Sequence, residues 1–232
     1  MNMDNSWIEE APPHWKRGRL KMLVSSVFNG VWGDDADGCE HDVSCVRGAD
    51  FDRKRNRVSV DKLPKRHVER RERVKHILDP GDLILEKSGG GEKQLVGAAV
   101  LYDLKIPAVC SNFCARIKPA PLVESRYLAY VFAASYSQGL TGLAIKQTTG
   151  IQNLDLGAYL ATPWAIPDLD EQRRIVDFLD AEIARIERLY RLRIEQRDLL
   201  DERCIACVTE LFPARRACNK VRLGYLAKIQ SG

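Results

Sequence analysis

The sequence has no apolar run long enough to cross a bilayer. Stretches such as Ala98–Tyr102 fall far short of the roughly 20 residues a membrane helix needs. The N-terminus, Met1 to Glu10, carries Asp4, Glu9 and Glu10 and no apolar core, which excludes a secretory signal of the usual form. These absences make a soluble intracellular protein the expected class. Histidine is scarce: His14, His41, His67 and His76 are scattered, so no Ser-His-Asp or Cys-His catalytic set can be defended. The seven cysteines are an odd number for a chain of 232 residues, closer to a reduced set than to a disulfide framework. Two chemical signatures are also missing. The loop Ser88-Gly89-Gly90-Gly91-Glu92-Lys93 lacks the spacing and the following Ser or Thr of a Walker phosphate loop. No Asn-Pro-Pro-aromatic or Asp-Pro-Pro-aromatic tetrapeptide occurs, which argues against amino-group methylation by this chain.

What is present fits one globular domain with something appended, at 45% hydrophobic, 29% charged and 7% aromatic residues. The net charge of +4 is mild, but its distribution is not. From Arg47 to Lys75 there are twelve Lys or Arg against five acids, a segment charge of +7 that leaves the remainder net acidic. Such a field attracts polyanions and releases their counterions. The other reading is a solvated, mobile surface loop.

Up to about Pro167 short apolar runs alternate with Gly, Pro and Asp, predicting strands at Arg19–Phe28, Asp82–Glu86, Leu95–Leu101 and Ala108–Ile117. One helix is predicted over Ser125–Ser137, where Leu128, Val131, Phe132 and Ser135 share a face. From Asp168 to about Phe212 the sequence reads as one long helix. Asp168 and Glu171 form a capping-box pattern, and no Pro or Gly follows until Pro213. The stripe Val176, Leu179, Ile183, Ile186 and Tyr190 keeps a three-four spacing. Some forty residues at about 1.5 Å each give a rod of about 60 Å, so a partner helix is expected. The alternative is a helix folded back on its own domain, since Arg193 and Arg197 interrupt the stripe. Beyond it, Arg222-Leu223-Gly224-Tyr225-Leu226 echoes Arg19-Leu20-Lys21-Met22-Leu23, the expected start of a second domain broken off at Gly232.

Candidate chemistry is sparse. The glycine loop could bring main-chain amides, with Lys87 and Lys93, to a phosphate, or be a plain hairpin tip. Asp79, Asp82 and Glu86 with Lys87 would be a nuclease set, but lack the acid-x-lysine spacing. Cys39, His41 and Cys45 with Cys110 and Cys114 are the residue types of a zinc site, the alternative reading, but neither pair has tight two-residue spacing, so buried free cysteines are expected and no metal site. Cys204 and Cys207 fall on the long helix, in core or seam.

Four segments carry a family resemblance: Trp15-Lys16-Arg17-Gly18-Arg19-Leu20; Gly81-Asp82-Leu83-Ile84-Leu85 with the glycine loop and Val96-Gly97; Thr149-Gly150-Ile151-Gln152-Asn153-Leu154; and Pro167-Asp168-Leu169-Asp170-Glu171-Gln172 with Ile175, Val176 and Leu179. Together they make nearly the whole chain resemble the specificity subunit of type I restriction-modification systems. The last segment, a proline and acidic link opening a long helix with Glu-Gln, is the most specific.

The resemblance implies an α+β fold, with a mixed, strand-rich target-recognition domain over residues 1–167. A spacer helix over 168–212 would form an antiparallel coiled coil with a partner helix, and 213–232 would begin a truncated second domain. It further implies a non-catalytic, cytoplasmic prokaryotic protein that reads one half of a bipartite site on double-stranded DNA and touches no membrane. Its partners would be methyltransferase subunits, a restriction and translocase subunit, and a second copy paired through the helix. S-adenosylmethionine, ATP and magnesium would belong to partner subunits, with no cofactor in this chain.

Recognition residues differ among members of that family, so chemistry selects the candidates here. Lys54, Arg55, Arg57, Lys65, Arg66, Lys87, Ser88, Lys146, Gln147, Thr148 and Thr149 can donate to phosphates or base edges from loops. Val176, Leu179, Ile183, Ile186 and Tyr190 are the expected helix-pairing seam. The rival classes are a stand-alone nuclease of a defence system and a coiled-coil adaptor that binds protein.

Overall fold

In the computed structural model, which describes residues 6–59, 62–89, 94–148 and 150–212, short strands dominate up to Ile166 and one long helix follows. The strands are β1 (Lys16–Arg19), β2 (Val24–Asn29), β3 (Asp34–Asp35), β4 (Asp42–Val46), β5 (Phe51–Asp52), β6 (Arg57–Val58), β7 (Lys65–His67), β8 (Leu83–Glu86), β9 (Ser88–Gly89), β10 (Ala99–Leu101), β11 (Ala108–Cys110), β12 (Cys114–Pro119), β13 (Ile145–Thr148), β14 (Ile151–Leu154) and β15 (Pro163–Ile166). The helices are α1 (Ser6–Glu10), α2 (Arg70–His76), α3 (Ser125–Ser137), α4 (Leu156–Leu160) and α5 (Leu169–Leu211).

β8 organises the domain. All four of its residues are buried, and successive side chains enter different cores, as the two-residue period of a strand requires. Leu83 and Leu85 join Leu20, Leu23, Ile117 and Phe132, whereas Ile84 joins Val46, Val100, Tyr102 and Cys110. A strand covered on both faces reads as an unbroken apolar run. The six-stranded sheet around it has the order β2-β12-β8-β10-β6-β5, beside sheets β11-β4-β7-β3, β13-β14-β9 and β1-β15. Helix α3 covers the first core with Leu128, Val131 and Phe132. Its buried Ser135 hydroxyl accepts the Tyr159 hydroxyl at 3.0 Å.

Three predicted strands are shorter or broken, each for a local reason. Over Arg19–Phe28, a 3₁₀ turn at Leu20–Leu23 separates β1 from β2. Leu20 and Leu23 are both fully buried, and only an i, i+3 turn puts both on one side. Over Leu95–Leu101, only β10 is extended. Gly97 has φ +106, and a Cβ there would lie 2.6 Å from Thr141 Cγ2. The run Ala108–Ile117 is cut into β11 and β12 by a turn in which the Cys114 N–H donates to the Ser111 carbonyl at 2.9 Å.

At the start of α5, Asp168 Oδ1 accepts the Glu171 N–H at 2.8 Å, one half of the capping box. Gln172 is 2% exposed. Its Oε1 accepts the Glu124 N–H at 3.0 Å and its Nε2 donates to the Pro167 carbonyl at 3.0 Å. That residue fastens the helix to the front of α3.

The chain divides into two compact units, one ending at Phe178 and the other beginning at Leu179. The first unit therefore takes in the opening turns of α5. In the second, Ile186, Leu189, Tyr190, Leu199, Leu200 and Ile205 are all exposed. Among the described residues no helix is long and apolar enough to cross a membrane. The expected repeat at 213–232 lies outside the described residues.

Candidate nucleic-acid interface

The strands join candidates that are far apart in sequence. Ser88 in β9 pairs with Asn153 of β14, and Lys146 and Gln147 of β13 pair with Asn153 and Gln152. The Ser88 hydroxyl donates to Asn153 Oδ1 at 2.6 Å. Gln152 is buried, and its Oε1 accepts the Val96 N–H at 3.1 Å, so the sheet is anchored from below. Lys87 leads into β9 and is half-buried, Gln147 is exposed, and the Thr148 backbone ends β13. Thr149 lies outside the described residues. Lys146 is not a free cation, since Nζ donates to Asp155 Oδ2 at 2.7 Å. That bond holds the Asp155 carboxyl below its ordinary range, helped by the Ala158 N–H.

Beside Ser88 and Gly89 lies a cleft of about 440 Å³, lined also by Trp32, Arg47, Glu86, Asn112 and Phe113. Trp32 and Phe113 are 37% and 50% exposed, offering flat apolar faces. Arg47 is held by a bidentate pair with Asp50, Nε to Oδ2 at 3.0 Å and Nη2 to Oδ1 at 2.9 Å. Glu86 bonds Arg53 Nη2 at 2.7 Å, and burial raises its carboxyl pKa against the pull of that guanidinium. Aromatic faces beside an exposed amide, a hydroxyl and a guanidinium are a set that can stack on and hydrogen-bond a planar polar group.

The basic segment folds into parts with different roles. Lys54 and Arg55 sit in the turn between β5 and β6, where both backbone N–H groups donate to Asp52 Oδ1 at 3.1 Å. Arg57 in β6 bonds Asp103 at 2.7 Å. Arg66 in β7 pairs with Asp35, donates to the Trp32 and Gly33 carbonyls at 3.2 and 3.0 Å, and lies 4.6 Å over the Trp32 ring. Among the described residues no carboxylate pairs with Lys54, Lys65, Arg70, Arg71 or Lys75. The last three belong to α2, a helix that sequence reading missed, as it missed Trp32, Asn112 and Phe113; in sequence Arg47 reads only as the start of the basic segment. Charge density pointed to α2, but nothing local marked the cleft residues.

The carboxylates of the nuclease reading are taken up in ion pairs. Arg116 bonds Asp82 at 2.5 Å and Asp79 at 2.7 Å, Lys118 bonds Asp79 at 2.9 Å, and Glu86 belongs to Arg53. Cys45, Cys110 and Cys114 are buried. Burial pushes the Cys45 thiol up to about 11 and the Cys114 thiol to about 12, the behaviour of core cysteines.

Along the expected seam, Val176 is fully buried in the domain's own core. Leu179 and Ile183 are half-buried, and Ile186 and Tyr190 are exposed.

A strand-rich α+β domain that ends in a 43-residue helix is a fold also found in solved type I restriction-modification proteins. One is a chain from work on complex assembly and conformational transition of the type I R-M system, 18% identical, with a TM-score of 0.56 over 82% of this chain and 44% of that one. Another is a type I restriction-modification S subunit from M. genitalium, 16% identical, with a TM-score of 0.50 over 87% of this chain and 46% of that one. The chain thus shares the α+β fold of these two proteins and spans less than half the length of either. No protein-family model matches the sequence, and no curated protein matches it.

Proposed function

We propose that this chain is a DNA-recognition module of a type I restriction-modification complex, reading one half of a bipartite site and performing no chemistry itself. The observation that carries the reading is the fold shared with a chain of a type I R-M system over 82% of this one. The cations Lys54, Lys65, Arg70, Arg71 and Lys75, which pair with no carboxylate among the described residues, supply sequence-independent attraction to phosphates. The cleft of Trp32, Arg47, Asn112 and Phe113 and the neighbouring Ser88 and Gln147 supply groups for base edges; Asn and Gln amides suit adenine. Two copies pairing through α5 would present two such modules to a symmetric site. Methyltransferase and restriction subunits would dock on the paired helices and bring S-adenosylmethionine, ATP and magnesium, and the assembly would work in a prokaryotic cytoplasm.

The test is to express the chain with a candidate adenine methyltransferase and map modified adenines by long-read sequencing. Copurification and methylation at a bipartite motif is the expected result. Cleavage of DNA by the chain alone with a divalent metal, without methyltransferase copurification, would overturn the proposal.

A further inference from the structure

Four side chains with metal-binding chemistry converge at the edge of the sheet β11-β4-β7-β3. Asp37, Cys39 and Asp42 lie in or just after the β3–β4 connection and His67 ends β7; one ligand atom of each lies within 4.8 Å of the others. His67 Nδ1 stands 3.4 Å from Cys39 Sγ, 3.6 Å from Asp37 Oδ1 and 3.9 Å from Asp42 Oδ1. Ligands bonded to a tetrahedral zinc at roughly 2.0–2.3 Å are separated by about 3.3–3.8 Å. The three separations measured from His67 thus already approximate the edges of such a tetrahedron.

A second observation points the same way. The Asp42 side chain is 5% exposed, and its Oδ1 has no hydrogen-bond partner. Its other oxygen is used, accepting the Gly38 N–H at 2.7 Å. A buried carboxylate oxygen aimed into a cluster without a donor is a group that a cation would satisfy. The remaining ligands are pre-set by the backbone. The Cys39 N–H donates to Asp37 Oδ1 at 3.0 Å, and the His41 N–H donates to Cys39 Sγ at 3.3 Å. Glu69 Oε1 lies 3.8 Å from His67 Nε2, on the side of the ring where metal-bound histidines commonly meet a carboxylate.

We infer that Asp37, Cys39, Asp42 and His67 form a structural zinc site. One thiolate, one imidazole and two carboxylates suit a borderline ion. Four protein ligands close the coordination sphere, which is the mark of a structural rather than a catalytic centre. Binding takes the proton from the Cys39 thiol and uses the lone pair of His67 Nδ1. The ion would clamp the β3–β4 connection to β7, the strand whose Arg66 holds Trp32 in place.

The experiment titrates the metal-stripped full chain with Co²⁺ alone, followed by Zn²⁺ displacement. One equivalent of tetrahedral Co²⁺ with a sulfur-to-cobalt charge-transfer band is expected, and Zn²⁺ should raise the melting temperature. Cys39→Ser should abolish the band, and His67→Gln should weaken binding by about tenfold or more. The double variant Cys204→Ser/Cys207→Ser, altered only at exposed cysteines of α5, should keep the band. Circular dichroism of each variant separates lost binding from lost folding, and Asp37→Asn replaces any variant that does not fold. No saturable binding by the folded wild-type chain would overturn the inference. So would a band that survives Cys39→Ser and disappears in the α5 double variant.

Discussion

Arg116 shows how a single residue decides what the acidic run Asp79 to Glu86 does. The residue is 5% exposed, and its two bonds reach Asp82, itself 4% exposed, and Asp79. Asp82 Oδ2 also accepts the Asp79 N–H at 2.8 Å, so the group closes the turn ahead of β8. A buried pair of this kind contributes little net stability compared with apolar residues of the same volume, but removing one partner strands the other charge. Arg116→Met should therefore destabilise the domain by about 3–5 kcal/mol. Arg116→Met with Asp82→Leu should recover part of that loss, with the orphaned Asp79 N–H limiting the recovery. Urea denaturation measures both. A double variant no more stable than the single one would show that the pair is not what holds the turn.

At the level of elements, α5 is the one whose surface asks for a partner. Ile186, Leu189 and Tyr190 are 61%, 54% and 69% exposed, on a helix whose other positions are mostly charged. Pairing through Leu179, Ile183, Ile186 and Tyr190 would bury this stripe. Ile183→Asp with Ile186→Asp should then cost at least about 2 kcal/mol per position in association, from reduced apolar burial and an unpaired charge. Sedimentation at micromolar concentration should find a two-chain species for the wild type and a single chain for the variant. A wild type that sediments as one chain would remove self-pairing. Helices are legible in the sequence because their period is local: Ser125–Ser137 is predicted to the residue, and α5 to within one residue at each end. Strands of two residues, such as β3, β5 and β9, are too short to carry a period. The cleft and the four-ligand cluster are illegible for another reason: they are assembled across the chain. Ser88 meets Asn153 over 65 positions and Cys39 meets His67 over 28, so no spacing rule could join them. The basic segment is legible as charge but not as roles, because only pairing separates Arg66 from Lys65.

For the whole molecule that separation becomes a measurable quantity. The +7 of the segment from Arg47 to Lys75 overstates the field a polyanion would meet, since Arg53, Arg57 and Arg66 each face a carboxylate that lies outside the segment. Counterion release depends on the phosphates that cations neutralise, and the salt slope falls by about 0.9 for each phosphate no longer neutralised. Lys54→Glu with Lys65→Glu should therefore weaken DNA binding by the assembled complex and flatten the plot of log affinity against log salt by about twice that amount. Arg66→Gln should act differently. It breaks the pair with Asp35 and the stack on Trp32, so it should lower thermal stability and affinity while leaving the slope unchanged. Binding isotherms at several salt concentrations, with a melting curve for each variant, separate the two behaviours. If the lysine pair leaves the slope intact, neither lysine touches the phosphates; if Arg66→Gln flattens it, that guanidinium neutralises a phosphate despite its carboxylate partner.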